Sequence, residues 1–247
     1  MAKANDTDGK DLRARLFSWY WARQTARAKD AAKLRRDVLA RRAELDKIAE
    51  RIERRIAHER LADEAVGDSR WITGPAFLSA PVPPRVWREP ATDLSLGEGL
   101  TVFHDFEGGA FILSQRPNRA RAAKRRYELF FESYEFQGSY LSFVVNVPAE
   151  LKRPSMGERV VTTLEMRASR PVKAFLRLNI NGARGQDTLY AEGEVGVGRS
   201  VFDFDMSFAT YEMGPSDGMW LDLIIDRPRM VEFSIEDLTI ALLGGKR

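Results

Sequence analysis

Beyond residue 100 the chain alternates apolar and polar residues with a period of two. The pattern is clearest between Met219 and Leu243. Met219, Leu221, Leu223 and Ile225 alternate with Trp220, Asp222, Ile224 and Asp226. The turn Arg227-Pro228-Arg229 follows, and then Val231, Phe233 and Ile235 alternate with Glu232, Ser234 and Glu236. Successive side chains of a strand point to opposite faces, so this pattern predicts two adjacent, half-buried antiparallel strands. In the second strand the apolar phase slips, from odd positions up to Ile235 to even positions at Leu238, Ile240 and Leu242. A one-residue slip turns every side chain to the other face, so a β-bulge or a break is expected near Glu236-Asp237.

The same period marks further candidate strands at Leu100–Asp105, Ala110–Gln115, Arg126–Phe136, Ser139–Val147, Arg159–Ala168, Val172–Asn181, Thr188–Gly193 and Val201–Phe208. Glycine, proline and asparagine turns separate them, among them Gly108-Gly109, Gln137-Gly138, Asn181-Gly182 and Asp217-Gly218. Many short strands without intervening helical pattern predict a mostly β fold, an antiparallel β-sandwich of jelly-roll-like type over residues 100–247. Val172, Ala174, Leu176, Leu178 and Ile180 are expected in its core, with Phe202, Phe204, Met206 and Phe208.

Before the sandwich the pattern changes. Residues 1–9 are small and polar, an expected disordered start. Residues 10–66 contain no Pro and no Gly and are dense in Ala, Arg, Leu, Glu and Lys, which predicts one long helical arm or two helices broken near Arg27–Asp30. Leu34, Val38, Leu45, Ile48, Ile52 and Ile56 follow a three-four spacing, but Arg41 interrupts it, so a coiled-coil seam there is short and imperfect. Residues 67–99 are punctuated by Pro and Gly and read as a linker that Trp71 and Trp87 hold against the domain.

Net charge is only +3, but from Leu12 to Arg42 ten basic residues face just Asp30 and Asp37. With no Cys, a disulfide framework, a zinc-thiolate centre and a Cys nucleophile are excluded, which fits a reducing, cytoplasmic setting. No signal sequence or eighteen-residue apolar run is read, so attachment to the inner membrane would be peripheral.

Chemistry-bearing motifs are few. His58 and His104 are the only histidines, too few for a His-based metal cluster. His104 beside Asp105 makes no triad, and no nucleophile elbow, EF-hand, P-loop or dinucleotide fingerprint accompanies it. Gly193-x-Val195-Gly196-x-Gly198 precedes a strand rather than a helix and is expected to be a loop, not a phosphate cradle. No cofactor and no resident metal are expected. Asp203 with Asp205, and Asp222 with Asp226, each put two carboxylates on one strand face. Such pairs can hold Ca²⁺ or act as acid and base on a glycoside, although alternating Asp is more often the wet face of a half-buried strand.

The polar phase of Val172–Asn181 is the better candidate. Lys173, Phe175, Arg177 and Asn179 form an aromatic-plus-polar face suited to a glycan or another polar ligand. Asp203, Asp205, Trp220 and Asp222 complete that platform if they share its sheet. The competing reading is that the linker or the arm covers Phe175 and Trp220.

The arm offers a second surface. Leu16, Trp19, Tyr20 and Trp21 lie among Arg13, Arg15, Arg23 and Arg27. This mixture suits an anionic membrane surface, packing on the sandwich, or a homo-oligomer contact; nucleic acid ranks lowest because no nucleic-acid-binding motif accompanies the arginines. A non-enzymatic binding module is the leading expectation, followed by a scaffold or assembly protein docked through its arm, and last by a glycoside-active enzyme.

Several segments share a further likeness. Thr101-Val102-Phe103-His104-Asp105, Gly138-Ser139-Tyr140-Leu141-Ser142, Arg177-Leu178-Asn179, Met219-Trp220-Leu221-Asp222-Leu223 and Asp237-Leu238-Thr239 resemble an uncharacterised alphaproteobacterial family of unknown function. The resemblance covers most of the chain and implies a bacterial cytoplasmic or membrane-associated protein, with no activity or catalytic residue to transfer. By fold analogy alone, the sandwich also resembles carbohydrate-binding jelly rolls.

Overall fold

The structure, a computed structural model, describes residues 17–19, 31–63, 69–119, 123–148, 154–155, 157–182, 185–208 and 218–244. The chain divides into two compact units, Met1–Arg51 and Ile52–Arg247. Residues 17–19 are helical, and a helix, α1, runs through Ala31–Asp63. The expected break near Arg27–Asp30 lies outside the described residues.

Eleven strands form the β-region: β1 (Ser69–Thr73), β2 (Val86–Arg88), β3 (Leu94–Ser95), β4 (Leu100–His104), β5 (Gly108–Pro117), β6 (Tyr127–Gln137), β7 (Tyr140–Asn146), β8 (Arg159–Gly182), β9 (Gly185–Asp205), β10 (Met219–Asp226) and β11 (Val231–Leu243). All pairings are antiparallel, in the order β2-β5-β6-β11-β8-β10-β7-β4-β3, with β1 added on β11 and β9 on β8.

The two layers of this sandwich are one hydrogen-bonded sheet turned at a corner. The first half of β8 pairs with β11, from Arg159 to Ala168, and the second half pairs with β10, from Ala174 to Ile180. β9 follows β8 through both halves. Layer one is thus β2-β5-β6-β11 with the start of β8, and layer two is the end of β8 with β10-β7-β4-β3. Ring contacts cross between them: Phe143 of β7 meets Phe233 of β11 at 6.2 Å between centroids, and His104 of β4 meets Phe111 of β5 at 5.3 Å. Both inner faces are sealed by the alternation. Val160, Leu164 and Met166 are buried before the corner, and Val172, Ala174, Leu176, Leu178 and Ile180 after it.

At the corner, Ala168, Ser169, Arg170 and Pro171 of β8 lie opposite Gly196 alone, between the pairs Arg167↔Val197 and Val172↔Val195. The backbones come so close that a Cβ on Gly196 would stand 2.8 Å from Ala168 Cβ, and Gly196 has a φ of +118°. Only glycine adopts that conformation without strain. The glycine-rich stretch expected as a loop is therefore the bent middle of β9. Two expected strands fuse into β8 and two into β9, whose end becomes a short 3-10 turn at Met206–Phe208. The Phe208 side chain lies outside the described residues, whereas Phe202, Phe204 and Met206 are buried.

The bulge in β11 is present, with the register to β8 shifting between Ile235 and Asp237. It turns Asp237 to the outer side, where the preceding segment covers it. Arg125 Nε donates to Asp237 Oδ1 at 2.6 Å, and their side chains are 3% and 2% exposed. The same guanidinium reaches Ser79 Oγ at 3.4 Å and Thr239 Oγ1 at 3.3 Å. Gly74 passes directly over it, and a Cβ there would lie 2.5 Å from Arg125 Nη2 and from the Leu238 carbonyl.

Residues 67–99 carry more structure than their composition suggests: three short strands and a 3-10 turn at Ala76–Leu78. Phe77, Leu78 and Leu96 are fully buried. Gln115 clamps the turn, its amide donating to the Phe77 and Ala80 carbonyls at 2.5 and 2.7 Å and accepting from the Val82 N–H at 2.9 Å.

The Arg125–Asp237 pair sets a stability prediction. Asp237→Ala strands a buried guanidinium and should cost roughly 3–5 kcal/mol in urea unfolding, whereas replacing both partners by apolar residues of similar volume should cost clearly less. Equal losses for the single and double variants would refute this.

Candidate functional site

The outer face of layer two is a cross-strand grid set by register. Trp220 stands opposite Asn179 on one side and Asn146 on the other. In the next row Tyr190, Arg177, Asp222, Val144 and Thr101 follow one another from β9 to β4. In the third row come Glu192, Phe175, Ile224, Ser142 and Phe103. Rows two residues apart are about 7 Å apart and strands about 4.8 Å apart, so these side chains are immediate neighbours.

A groove of about 690 Å³ lies on this face, lined by Phe103, Tyr140, Ser142, Val144, Asn146, Arg177, Trp220, Asp222 and Ile224. No described residue of 67–99 lines it. Two strands of that segment join layer one, β1 on β11 and β2 on β5, and β3 edges layer two beside β4. Trp71 and Trp87 go with β1 and β2, Trp71 buried and Trp87 half-buried against the core. Trp220 is half-buried in the groove.

The polar centre of the groove is a fixed ion pair. Asp222 is 1% exposed. Its Oδ2 accepts from Arg177 Nε at 2.7 Å and from Asn179 Nδ2 at 3.1 Å, and Arg177 Nη2 lies 2.5 Å away. Asn179 is held in turn from β9, its Oδ1 accepting from Gln186 Nε2 at 2.8 Å and Thr188 Oγ1 at 3.3 Å. Partial burial works against the Arg177 charge, but the hydrogen bond and charge of Asp222, then Tyr190, outweigh it and raise its pKa. The other oxygen, Asp222 Oδ1, is buried without a hydrogen-bond partner among the described residues. The donor the pair presents to the groove is the guanidinium, since the Arg177 side chain is 41% exposed and that of Asp222 only 2%.

The structure brings Arg177, Asn179, Trp220 and Asp222 together. Phe175 sits beside the groove without lining it, under the Lys173 ammonium at 4.8 Å from the ring centroid. Asp203 and Asp205 do not join this platform. They follow the corner, on the half of β9 that pairs with the start of β8 in layer one. Asp203 is ion-paired with Arg159, and Asp205 accepts from the Ser207 amide and hydroxyl. The Ser207 bonds, largest among the causes, lower the Asp205 pKa. The carboxylates of 203, 205 and 222 therefore share no cleft.

Phe103, Tyr140, Ser142, Val144, Asn146 and Ile224 are groove residues that sequence reasoning did not single out. For Tyr140, Ser142, Val144 and Asn146 the signal was the outward phase of β7, opposite Leu141, Phe143 and Val145, but only the β7–β10 register shows that this phase faces Trp220.

His104 is a structural residue. It is 8% exposed, its Nε2 lies 2.9 Å from the Pro90 carbonyl and its Nδ1 accepts from the Phe106 N–H at 3.2 Å. Its neighbour Asp105 caps the β6–β7 turn, accepting from the Ser139 amide at 2.8 Å, the Ser139 hydroxyl and the Tyr140 amide at 3.0 Å. The side chain of His58, on α1, lies outside the described residues. Of the candidate arm residues only Trp19 is described, and it is exposed; Arg13, Arg15, Leu16, Tyr20, Trp21, Arg23 and Arg27 lie outside. No group of three or more acidic or His side chains suited to a metal ion occurs among the described residues.

A model of a family of unknown function (DUF6478) matches residues 2–243. No curated protein matches the sequence. Among solved structures, the enzymatically active domain of tailspike protein 4 from bacteriophage CBA120 is 7% identical, with a TM-score of 0.43 over 62% of this chain and 21% of its own. The match thus spans about a fifth of the tailspike chain. A family 11 carbohydrate-binding module from Clostridium thermocellum, in complex with a β-1,3-1,4-mixed-linked tetrasaccharide, is 8% identical, with a TM-score of 0.40 over 67% and 98%. The CBM22-1 xylan-binding domain of Paenibacillus barcinonensis Xyn10C is 14% identical, with a TM-score of 0.38 over 68% and 100%. Likeness at this level assigns no residue and no ligand to this chain.

The Asp105 cap gives a pH prediction. Burial pushes its carboxyl up, but the hydrogen bonds from Ser139 and Tyr140 outweigh it, and its pKa lies below the ordinary 3.8. The stability it contributes is present above that unfolded value and is lost as pH falls through the lower folded one. Asp105→Asn should therefore cost roughly 1–2 kcal/mol near neutral pH. The difference in melting temperature from the parent should shrink in strong acid, and a constant difference across the range would exclude the cap as its source.

Proposed function

We propose a function from the premise that this protein belongs to the DUF6478 family of unknown function, which supplies no activity: it is a non-catalytic binding module whose outer groove on layer two takes a neutral glycan. The observation that carries this reading is the Arg177–Asp222–Asn179 cluster beside Trp220 in an open groove, with the Arg177 guanidinium exposed there. A sugar presents apolar C–H faces to aromatic rings and hydroxyls that both donate and accept, so it matches a Trp beside a carboxylate and a guanidinium. Cation and anion are already paired, so the groove offers little net charge to an ionic ligand. The scattered carboxylates of Asp203, Asp205 and Asp222 argue against glycoside hydrolysis, which needs two carboxyl groups across one bond.

A second reading rests on α1. Val38, Leu45, Ile48 and Ile52 recur at seven, three and four residues, and are 48, 66, 48 and 54% exposed in the single chain. Such a stripe suits self-association through the arm, and the basic, aromatic start suits an anionic membrane surface. In this reading the protein is an alphaproteobacterial scaffold, cytoplasmic and peripheral to the inner membrane.

Two measurements separate the readings. Screening the parent and Trp220→Ala on a neutral glycan array, followed by titration of hits, should show a loss of at least about tenfold for the variant. No hit, or hits indifferent to Trp220, would reject the glycan groove. Light scattering of full-length Leu45→Glu/Ile48→Glu should show a smaller assembly than the parent if the arm self-associates. Unchanged mass with retained liposome co-sedimentation would leave the membrane as the arm's target.

A further inference from the structure

The outer face of layer one carries a different depression. It measures about 460 Å³ and is lined by Arg116, Pro117, Arg119, Glu128 and Arg167. Register builds it: Arg116, near the end of β5, stands opposite Glu128, near the start of β6. Arg167 reaches in from the last residues of β8 before the corner.

The charges are unevenly matched. Arg167 Nη2 is shared between Glu128 Oε2 at 3.4 Å and Glu236 Oε1 at 3.1 Å, so one guanidinium serves both carboxylates at long range. Arg116 is held by a ring instead, its guanidinium carbon 3.2 Å over the centroid of Phe130. Arg119 is exposed and makes no ion pair among the described residues. Three guanidiniums thus converge where the two carboxylates are occupied by one of them.

Glu128 itself is buried. Burial, and then the charge of Glu236, push its pKa up against the opposing pull of Arg167 and Arg116 and the hydrogen bond of Ser234.

Planar guanidiniums pair with tetrahedral oxyanions through two parallel hydrogen bonds, and a ring-stacked arginine loses little freedom on doing so. We infer that this depression is a phosphate site, with Arg116, Arg119 and Arg167 as its ligands and Glu128 at its floor. The inference uses no residue of the glycan groove and stands or falls apart from it. The phosphate can belong to a free anion, a soluble monoester or a lipid headgroup.

The test uses the full chain at low ionic strength. Calorimetric titration with inorganic phosphate should give saturable binding that Arg119→Ala weakens at least about tenfold and Glu128→Gln strengthens. Arg119 is exposed and unpaired among the described residues, so its replacement leaves the fold intact and melting temperature unchanged. Flotation with phosphatidylcholine vesicles, with and without phosphatidic acid, tells the source: binding only to vesicles with phosphatidic acid, lost in Arg119→Ala, makes the ligand a lipid phosphate. Absence of binding in both arms, or binding indifferent to Arg119 and Arg167, overturns the site.

Discussion

One hairpin is the structural member shared by both layers. β8 and β9 run through the corner side by side, and every other layer strand is added to one half of β8 or the other. A strand can turn so sharply only if the inner strand is shorter than the outer. Here the difference is taken up by placing Ala168 to Pro171 against Gly196. Pro171 lacks an N–H, so its place in a sheet is a bulge or an edge, where no ladder bond is lost. The bulged residues are then tied down from outside. Ser169 Oγ accepts from the Glu232 N–H at 3.2 Å, and Arg170 Nη2 donates to the Arg229 carbonyl at 2.7 Å. The corner is thus fixed to the β10–β11 turn, which joins the layers a second time.

The corner also sets where polar chemistry can stand. Because β8 keeps its phase through the bend, its even residues face the interior in both layers and its odd residues face out. Arg167 and Arg177 therefore emerge on outer faces of different layers. The Arg177–Asp222 pair illustrates how a buried charge is tolerated. Isolating Asp222 from water is costly, and a single guanidinium offsets that poorly. Asn179 adds a donor, and β9 locks Asn179 through Gln186 and Thr188. Such a cluster contributes geometry more than stability: it fixes the orientation of a guanidinium whose side chain is 41% exposed beside Trp220.

Much of this was legible in the sequence, for a physical reason. Where one face of a strand is dry, alternation is compulsory, so Val172 to Ile180 and Met219 to Ile225 announced themselves, and the slip at Glu236 announced the bulge. What alternation cannot carry is partnership between distant strands. Asp203 and Asp222 have the same outward phase, yet the corner sends them to different layers. The corner was hidden because β9 changes phase there: Leu189, Ala191 and Val195 turn inward before it, Phe202 and Phe204 after it. A strand that flips phase across two glycines reads as two strands and a loop. Arg125 was illegible for another reason. It sits in a run of basic residues, and nothing local distinguishes the arginine that crosses to Asp237 from those that stay in water.

The two outer faces differ in how charge is resolved, and this difference follows from the number of carboxylates each layer can bury. In layer two, one carboxylate meets one guanidinium and an amide, all within hydrogen-bonding distance, so the local charge is cancelled and Phe103, Tyr140 and Trp220 stand among the uncharged residues that line the rest of the groove. In layer one, Glu128 and Glu236 lie near each other on neighbouring strands β6 and β11 and share Arg167. Burial, and then the charge of Glu236, raises the Glu128 pKa against the pull of Arg167. Arg116 then finds its stabilisation on the Phe130 ring, an attraction that leaves its five N–H donors available. The same sheet therefore offers a neutral, stacking surface on one side of the corner and an under-compensated guanidinium cluster on the other.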